Sequence, residues 1–459
     1  MNILIATTAL GVLCLILEIF NLRKAIVPIT IIGLFAILGL TISEFGVQQS
    51  YYNNMIVVDK FATAFSGLLI VITIFLVALS YNFYENQQSK LSDFIAIKVF
   101  LLTGCIAMVS FGNLAMFFLG IEVLSISLYI LAASNRMNLK SNEAGMKYFL
   151  MGSFASGIIL FGICLIYGAI GSFDMNTIQE ASMSANVEEW FYIGIALLSI
   201  GLLFKIAAVP FHFWAPDVYE GAPALTTATM STLAKVTAMA TFFKLMSVMS
   251  TNLPESSQTI VVIISILSMS VGNIMALKQA NVKRMLAFSG ISHAGFMLMT
   301  LLNTANAAGS LLYYTSAYAL AGIAAFSVIL YVCKNQENED IVNFHGLGKT
   351  NPLLAIILTA ALLSMAGIPI FAGFFAKLTL FSQTIQAGYL VLVIVAVINS
   401  IISVGYYFKL IIAMFTKEPN QTRTGKPVLI YAVAVVSIVL NLVLGIFPSF
   451  VLDLLSNKI

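Results

Sequence analysis

Apolar runs of about 20 residues, the length that crosses a bilayer core, recur along the whole chain with short polar segments between them. Windows of that length predict about fourteen crossings. They fall near 2–20, 25–43, 61–82, 94–111, 113–133, 146–170, 190–210, 222–250, 258–277, 284–303, 309–333, 351–380, 390–416 and 428–450. The pattern is that of an all-α polytopic membrane protein. No basic residue precedes the first run, and Arg23 and Lys24 follow it, so it reads as an uncleaved helix with its N-terminus outside.

Composition sharpens this picture. Of 459 residues, 60% are hydrophobic and 9% charged, with mean hydropathy +1.00, whereas soluble domains carry about 25% charged residues. A soluble enzyme, a secreted disulfide scaffold and a nucleic-acid binder are excluded. The net charge of +3 is too small to argue for a polyanionic partner. Cys14, Cys105, Cys164 and Cys333 sit singly in apolar runs, without the spacing of a zinc or iron–sulfur site.

Charge placement tests the plan, because short cytoplasmic loops collect Lys and Arg. Arg23, Lys24, Lys90, Lys98, Arg136, Lys140, Lys147, Lys278, Lys283, Arg284, Lys334, Lys349, Lys409, Lys417, Arg423 and Lys426 fall on one side. Lys60 and Lys458 fall on the other. Both termini are therefore expected on the outer side.

Several charges remain inside the crossings. Lys205, Lys235, Lys244 and Lys377 lie in apolar runs, Glu122 near the middle of the fifth, and His293 near the middle of the tenth. Each charge at mid-membrane costs on the order of 2.5–3.5 kcal/mol, so such residues mark ion or proton paths. Lys244 is close enough to a helix end to snorkel. Glu122, Lys205, Lys235 and Lys377 are too deep for that. Three deep lysines facing one deep carboxylate cannot all be paired, and burial of an unpaired ammonium favours its neutral form. A Glu–Lys pair followed by further lysines is thus a workable proton switch.

Two crossings carry breaks beside a buried lysine. One is Lys205-Ile206-Ala207-Ala208-Val209-Pro210-Phe211-His212, and the other is Gly367-Ile368-Pro369 ahead of Lys377. Proline removes a backbone donor and clashes with the preceding turn, so the seventh and twelfth helices are expected to be kinked or discontinuous. Paired broken helices in two halves mark transporters built from inverted repeats. His212 follows Lys205 by two helical turns if the helix stays regular through Pro210, which would suit proton uptake. His293, with Ser289, Ser292 and Thr300 on its helix, is placed to bridge protons between lysines. The stretch from Ile170 to Glu189 and that from Asn335 to Lys349 read as solvated loops.

The run Lys205-x4-Pro210-Phe211-His212-Phe213-Trp214-Ala215-Pro216-Asp217-Val218-Tyr219-Glu220-Gly221-Ala222-Pro223 resembles the signature of the antiporter-like subunits of respiratory complex I, the NADH:quinone oxidoreductase. Glu122, Lys235, His293 and Lys377 fit the same family in order. The resemblance covers essentially the whole chain. It implies a 1–93 N-terminal three-helix segment, two inverted five-helix repeats at 94–250 and 258–416, and a C-terminal helix in 417–459. It also implies a relay in which Glu122 pairs with Lys205 and protons pass through Lys235 and His293 to Lys377. The chain itself would hold no cofactor, with FMN, iron–sulfur clusters and quinone in partner subunits. Its partners would be M- and L-like antiporter subunits, small membrane subunits and lipids of a bacterial inner membrane, and no nucleic acid. A subunit of a multisubunit cation/proton antiporter is the alternative.

Overall fold

The computed structural model describes residues 1–84, 88–183, 188–249, 255–334, 336–419, 425 and 427–455. Arg423, Lys426, Lys458, the side chain of Lys90 and the expected end of the first repeat at residue 250 lie outside these residues. Helices α1 (Asn2–Ile19) and α2 (Arg23–Ser43) lead to a β-hairpin, β1 (Gln49–Tyr51) and β2 (Ile56–Val58), paired antiparallel. The crossings then continue with α3 (Lys60–Phe83), α4 (Gln88–Val109), α5 (Leu114–Ala132) and α6 (Leu139–Ile170). After a short helix, α7 (Met175–Ser182), come α8 (Glu189–Ile206), α9 (Trp214–Gly221), α10 (Ala224–Thr229) and α11 (Lys235–Met249). The C-terminal half comprises α12 (Glu255–Leu277), α13 (Val282–Leu298), α14 (Ala308–Val332) and the short α15 (Leu347–Thr350). It ends with α16 (Pro352–Ala366), α17 (Ala372–Gln386), α18 (Leu390–Thr416), α19 (Val428–Ile446) and the short α20 (Ser449–Leu452).

Thirteen helices among the described residues are long and apolar enough to cross a membrane. The expected twelfth crossing is divided between α16 and α17, each 15 residues long and so too short to span alone. Polar residues start many helices by supplying the acceptor that the first N–H groups lack. Asp59 caps α3, Asn113 caps α5, Asn138 caps α6 and Asn281 caps α13. Asp174 caps α7, so the stretch after Ile170 is partly helical rather than a plain loop.

Both expected breaks are present. Helix α8 stops at Ala207, which turns left-handed at φ +58°, and residues 207–213 run without regular helix until α9. Helix α16 stops at Gly367, φ +87°, and Ile370 is also left-handed at φ +85°. A third irregularity gave no proline signal: Met230–Ala234, between α10 and α11, forms a π-turn that ends at Lys235. Such turns concentrate at functional sites.

α13 and α14 are almost wholly enclosed by the other helices, while α1, α2, α6, α12 and α19 leave much of their apolar surface facing outward. Glycines let several neighbouring backbones touch. A methyl group on Gly162 would lie 2.8 Å from the Gly194 carbonyl oxygen, and one on Gly194 would lie 2.8 Å from that of Gly162. Gly104 and Gly120 join α4 to α5 in the same reciprocal way, at 3.0 Å. This close approach is how membrane helices pack where no hydrophobic effect drives them together.

Candidate functional site

The deep charged groups belong to three helix junctions. In the first, Glu122 lies on α5 and Lys205 in the last turn of α8. The Lys205 ammonium donates to Ser125 Oγ at 2.6 Å and to Ser156 Oγ at 3.5 Å, and lies 5.9 Å from the Tyr129 ring centroid. Among the described residues no ion pair joins it to Glu122. Glu122 Oε1 is instead buried without a hydrogen-bond partner, although Ser125 stands one turn further along the same helix. The structure thus holds the ammonium on a hydroxyl next to the carboxylate. Phe204 O, in the last turn of α8, accepts from both Ala207 N and Trp214 Nε1, each at 3.0 Å.

The second junction centres on Lys235, at the end of the π-turn. Its ammonium, 3% exposed, donates to Gly290 O on α13 at 2.6 Å. A side chain at Gly290 would collide with it, since a Cβ there would sit 2.8 Å from Lys235 Nζ. One turn further along α13, His293 is buried among tyrosines. Nδ1 meets Tyr314 Oη at 2.8 Å, and Nε2 meets Tyr407 Oη at 3.3 Å. Tyr407 Oη in turn meets Ser289 Oγ at 2.5 Å.

The third junction is the break between α16 and α17. Lys377, 6% exposed, donates to Ala366 O at 2.8 Å, the carbonyl with which α16 ends. The ammonium also lies 4.9 Å from the Phe296 ring centroid. A narrow cavity lined by His293, Tyr314, Tyr318, Ser364 and Lys377 connects this junction to the second. Ser364 Oγ, which accepts from Gly373 N, also bonds Asn441, and Asn441 reaches Ala317 O. All groups on this polar path can accept and give up a proton or orient one that can.

His212 does not fit the helical spacing expected of it. Because α8 ends at Ile206, the seven-residue interval from Lys205 does not put both on one face. His212 is buried against Phe213 at 4.3 Å, and Nδ1 has no hydrogen-bond partner. Burial pushes its pKa below that of an ordinary imidazole, despite a backbone hydrogen bond at Pro210.

The signature run has a different placement from the deep lysines. Asp217 Oδ1 meets Arg284 Nη1 at 2.7 Å, and Asp217 Oδ2 meets Lys147 at 3.3 Å. Glu220 also meets Arg284, at 3.1 Å. Burial opposes the Asp217 charge, but its bonds to Arg284 and Lys147 hold the carboxyl below the usual carboxylate range. Lys283, next to Arg284, pairs with Glu339 at 2.8 Å and donates to Ala222 O at 2.8 Å. These contacts clamp α6 and α9 to α13. The connector before Lys349 is accordingly docked through Glu339, Phe344 and Leu347 rather than simply solvated.

Two lysines differ from their expected surroundings. Lys98, counted with the loop charges, is 1% exposed within α4 and donates to Ser80 Oγ at 2.7 Å. Lys244 does not snorkel freely: it donates to Val109 O at 3.0 Å and lies 3.7 Å from Asp59. The hydroxyl partners Ser125, Ser156, Tyr314 and Tyr407 also escaped sequence reasoning. Their one signal was a hydroxyl within an otherwise apolar run. Among the described residues, no three metal-ligating side chains come together.

The family profile described as NADH:quinone oxidoreductase/Mrp antiporter, TM, matches residues 112–403. The chain is 72% identical to the NADH-quinone oxidoreductase subunit N of Flavobacterium johnsoniae, over 99% of this chain and 100% of that one. It is 44% identical to the protein of the same name from Cytophaga hutchinsonii, over the full length of both. Among solved structures, it is similar to a chain of respiratory complex I from Thermus thermophilus with bound aureothin. That match has a TM-score of 0.85 and 30% identity, and covers 98% of each chain. It shares its fold with a chain of the Mrp complex from Dietzia, with a TM-score of 0.84 and 21% identity over 98% of this chain and 95% of that one.

Proposed function

The chain belongs to the NADH:quinone oxidoreductase/Mrp antiporter transmembrane family, and from that premise we propose how its residues move protons. Its function is that of a proton-translocating membrane-arm subunit of NADH:quinone oxidoreductase, an integral multi-pass protein. In the proposed relay, Glu122 biases Lys205 through the Ser125 turn. Protons then pass by Lys235 to His293 and leave through Lys377. Residues 94–250 and 258–416 are the two inverted repeats, and each contains one broken crossing with one lysine beside the break.

The single observation that carries this reading is the polar path from Lys235–Gly290 past His293 and the tyrosines to Lys377–Ala366. It lies within the enclosed helices, where unpaired polar groups are costly and mark function. The face with the Arg284 clamp is the cytoplasmic one, and the hairpin face with both termini is the outer one, because basic residues favour the former. His212 acts by shaping the first break rather than by proton uptake. The redox chemistry, with FMN, iron–sulfur clusters and quinone, belongs to partner subunits, and M- and L-like antiporter subunits flank this chain in the inner membrane. A cation/proton antiporter without a redox partner has only the shared fold in its favour.

The test uses inside-out vesicles carrying Lys205→Ala, with NADH-driven quinone reduction and proton uptake followed together. Loss of both in an assembled complex is the expected result. Unchanged reduction and uptake would make Lys205 a structural charge and remove the first station.

A further inference from the structure

Between α8 and α12 the molecule carries a groove that none of the three junctions uses. It holds about 450 Å³, within the range of small-molecule sites. Its walls are apolar, with Ile195 and Leu203 from α8, Phe242 and Met246 from α11, and Ile260 and Ile264 from α12. Tyr192 and Ile260 are exposed, so the groove opens sideways to whatever surrounds the bundle. Its upper end is polar: Tyr192, Ser256 and Ser257 line it near the starts of α8 and α12, at the hairpin face. Its lower end is the first break, where Pro210 and Phe211 line it.

The dimensions and charge of the groove select its occupant. From Tyr192 to Leu203, α8 rises about 16 Å, close to half of a hydrocarbon core about 30 Å thick. The groove is therefore one leaflet deep and closed at mid-membrane by the break. A helix from another subunit would have to cross the whole core, and Pro210 and Phe211 stand in its way. One hydrocarbon chain suits this shape, with its head group at the upper end. Aromatic residues gather where head groups lie, and Trp190 is exposed beside Tyr192. Glu188 and Glu189, both exposed, lie about one turn before Tyr192. No Lys or Arg occurs in residues 148–204 or 245–277. That rim attracts an ammonium and repels a head group with net negative charge.

We propose that this groove seats one acyl chain of an amine-bearing zwitterionic phospholipid, with its head group at Tyr192 and Ser257 and its chain end against Pro210 and Phe211. The site is separate from the proton relay and does not depend on the order of its steps. The chain end meets a segment that α12 already holds, because Val209 N donates to Ser268 Oγ at 2.9 Å. Ile264, which lines the groove, stands one turn before Ser268 on the same helix. The seated chain fills the wedge between α8 and α12 next to that bond, and so braces the first break from the bilayer side.

Photo-crosslinking of the intact complex in vesicles tests this. The probe is a phosphatidylethanolamine with a diazirine at the end of one acyl chain, and labelled peptides are mapped by mass spectrometry. Label is expected on residues 203–211 and on Ile264. Ser199→Phe and Ala196→Phe each push a ring into the groove, and either should cut that label by roughly fivefold or more, since a steric clash excludes the chain. Ile193→Phe, on α8 but outside the groove, should leave it at the parent level. No label at these positions in the parent complex would overturn the proposal, whether a partner subunit covers the groove or nothing enters it. Equal label in the parent and in both filled variants would overturn it too, as chance contact from the surrounding bilayer. A phosphatidylglycerol probe with the same diazirine should label less, and equal labelling would overturn the amine-bearing head group. Stronger labelling by a diazirine-bearing isoprenoid quinone would overturn the lipid and give the groove to a quinone tail.

Discussion

The two broken crossings begin from the same sequence device, a proline-interrupted apolar run beside a lysine, and reach different solutions. At the first break, the Phe204 carbonyl near the end of α8 is held by the Ala207 amide and the neutral Trp214 indole. Lys205 bonds Ser125 and Ser156 instead. At the second, the carbonyl left by α16 is taken by the lysine itself. The first break contains no glycine between Leu202 and Glu220, and its left-handed residue is an alanine; the second depends on Gly367 and Gly373. The orphan carbonyl that every broken helix creates can be capped independently of the titrating group or by it. In the second case, the capping group and the proposed proton carrier are one side chain.

The largest test of this difference is Gly373→Ala. A Cβ there would fall 1.8 Å from the Ser364 carbonyl oxygen, which is backbone and cannot turn away. A loss of more than about 3 kcal/mol is expected, beyond ordinary overpacking. It should be read as failure of the complex to assemble in membranes or as a steep fall in its Tm.

A smaller effect separates the lysines themselves. Lys205→Met and Lys377→Met both remove a buried ammonium, but only the second also strands a carbonyl. Lys377→Met should be the less stable by about 1–3 kcal/mol, the cost of an unsatisfied buried acceptor. Thermal unfolding of the detergent-solubilised complex measures the gap. Equal Tm values would mean that Ala366 O finds another donor, and the contrast between the breaks would collapse.

The smallest effect is a pH dependence confined to the first break, which contains His212, whereas residues 368–371 of the second carry no titratable group. Burial lowers the folded pKa of His212, while the unfolded chain titrates near 6.5, the ordinary value for histidine (about 6.5). The unfolded state then binds more protons as the pH falls through that range, so stability is lost on acidification. His212→Phe should flatten the Tm-versus-pH curve between about pH 7.5 and 5.5. An unchanged slope would assign the dependence elsewhere.

Much of the fold was legible because a bilayer leaves the backbone few options. Long apolar runs had to be helices, and proline beside lysine had to break them. Lys205, Lys235, His293 and Lys377 stood out as charged or titratable groups where such groups are costly. What escaped was set by rotation and neighbours rather than by depth. Lys98 looked like a loop charge because α4 begins earlier than the apolar window suggested, at Gln88. The relation of His212 to Lys205 failed because helical periodicity does not survive a left-handed Ala207. The Asp217–Glu220 run carried the family signature, but the sequence did not name the partners its carboxylates bind, Arg284 and Lys147. The π-turn before Lys235 has no residue that announces it.

The glycine contacts between α6 and α8, and between α4 and α5, have an electrical consequence. Where backbones touch at Gly162–Gly194 and Gly104–Gly120, no side chain separates the two helices and no gap admits a stray water. Such seams act as insulation. Each proton that slips back across a membrane held at 100 mV wastes about 2.3 kcal/mol, so a pump depends on tight walls as much as on a working conduit. Larger residues at these crossings would open a leak before they touched any titrating group, and the symptom would be a membrane that cannot hold its voltage while NADH is still consumed.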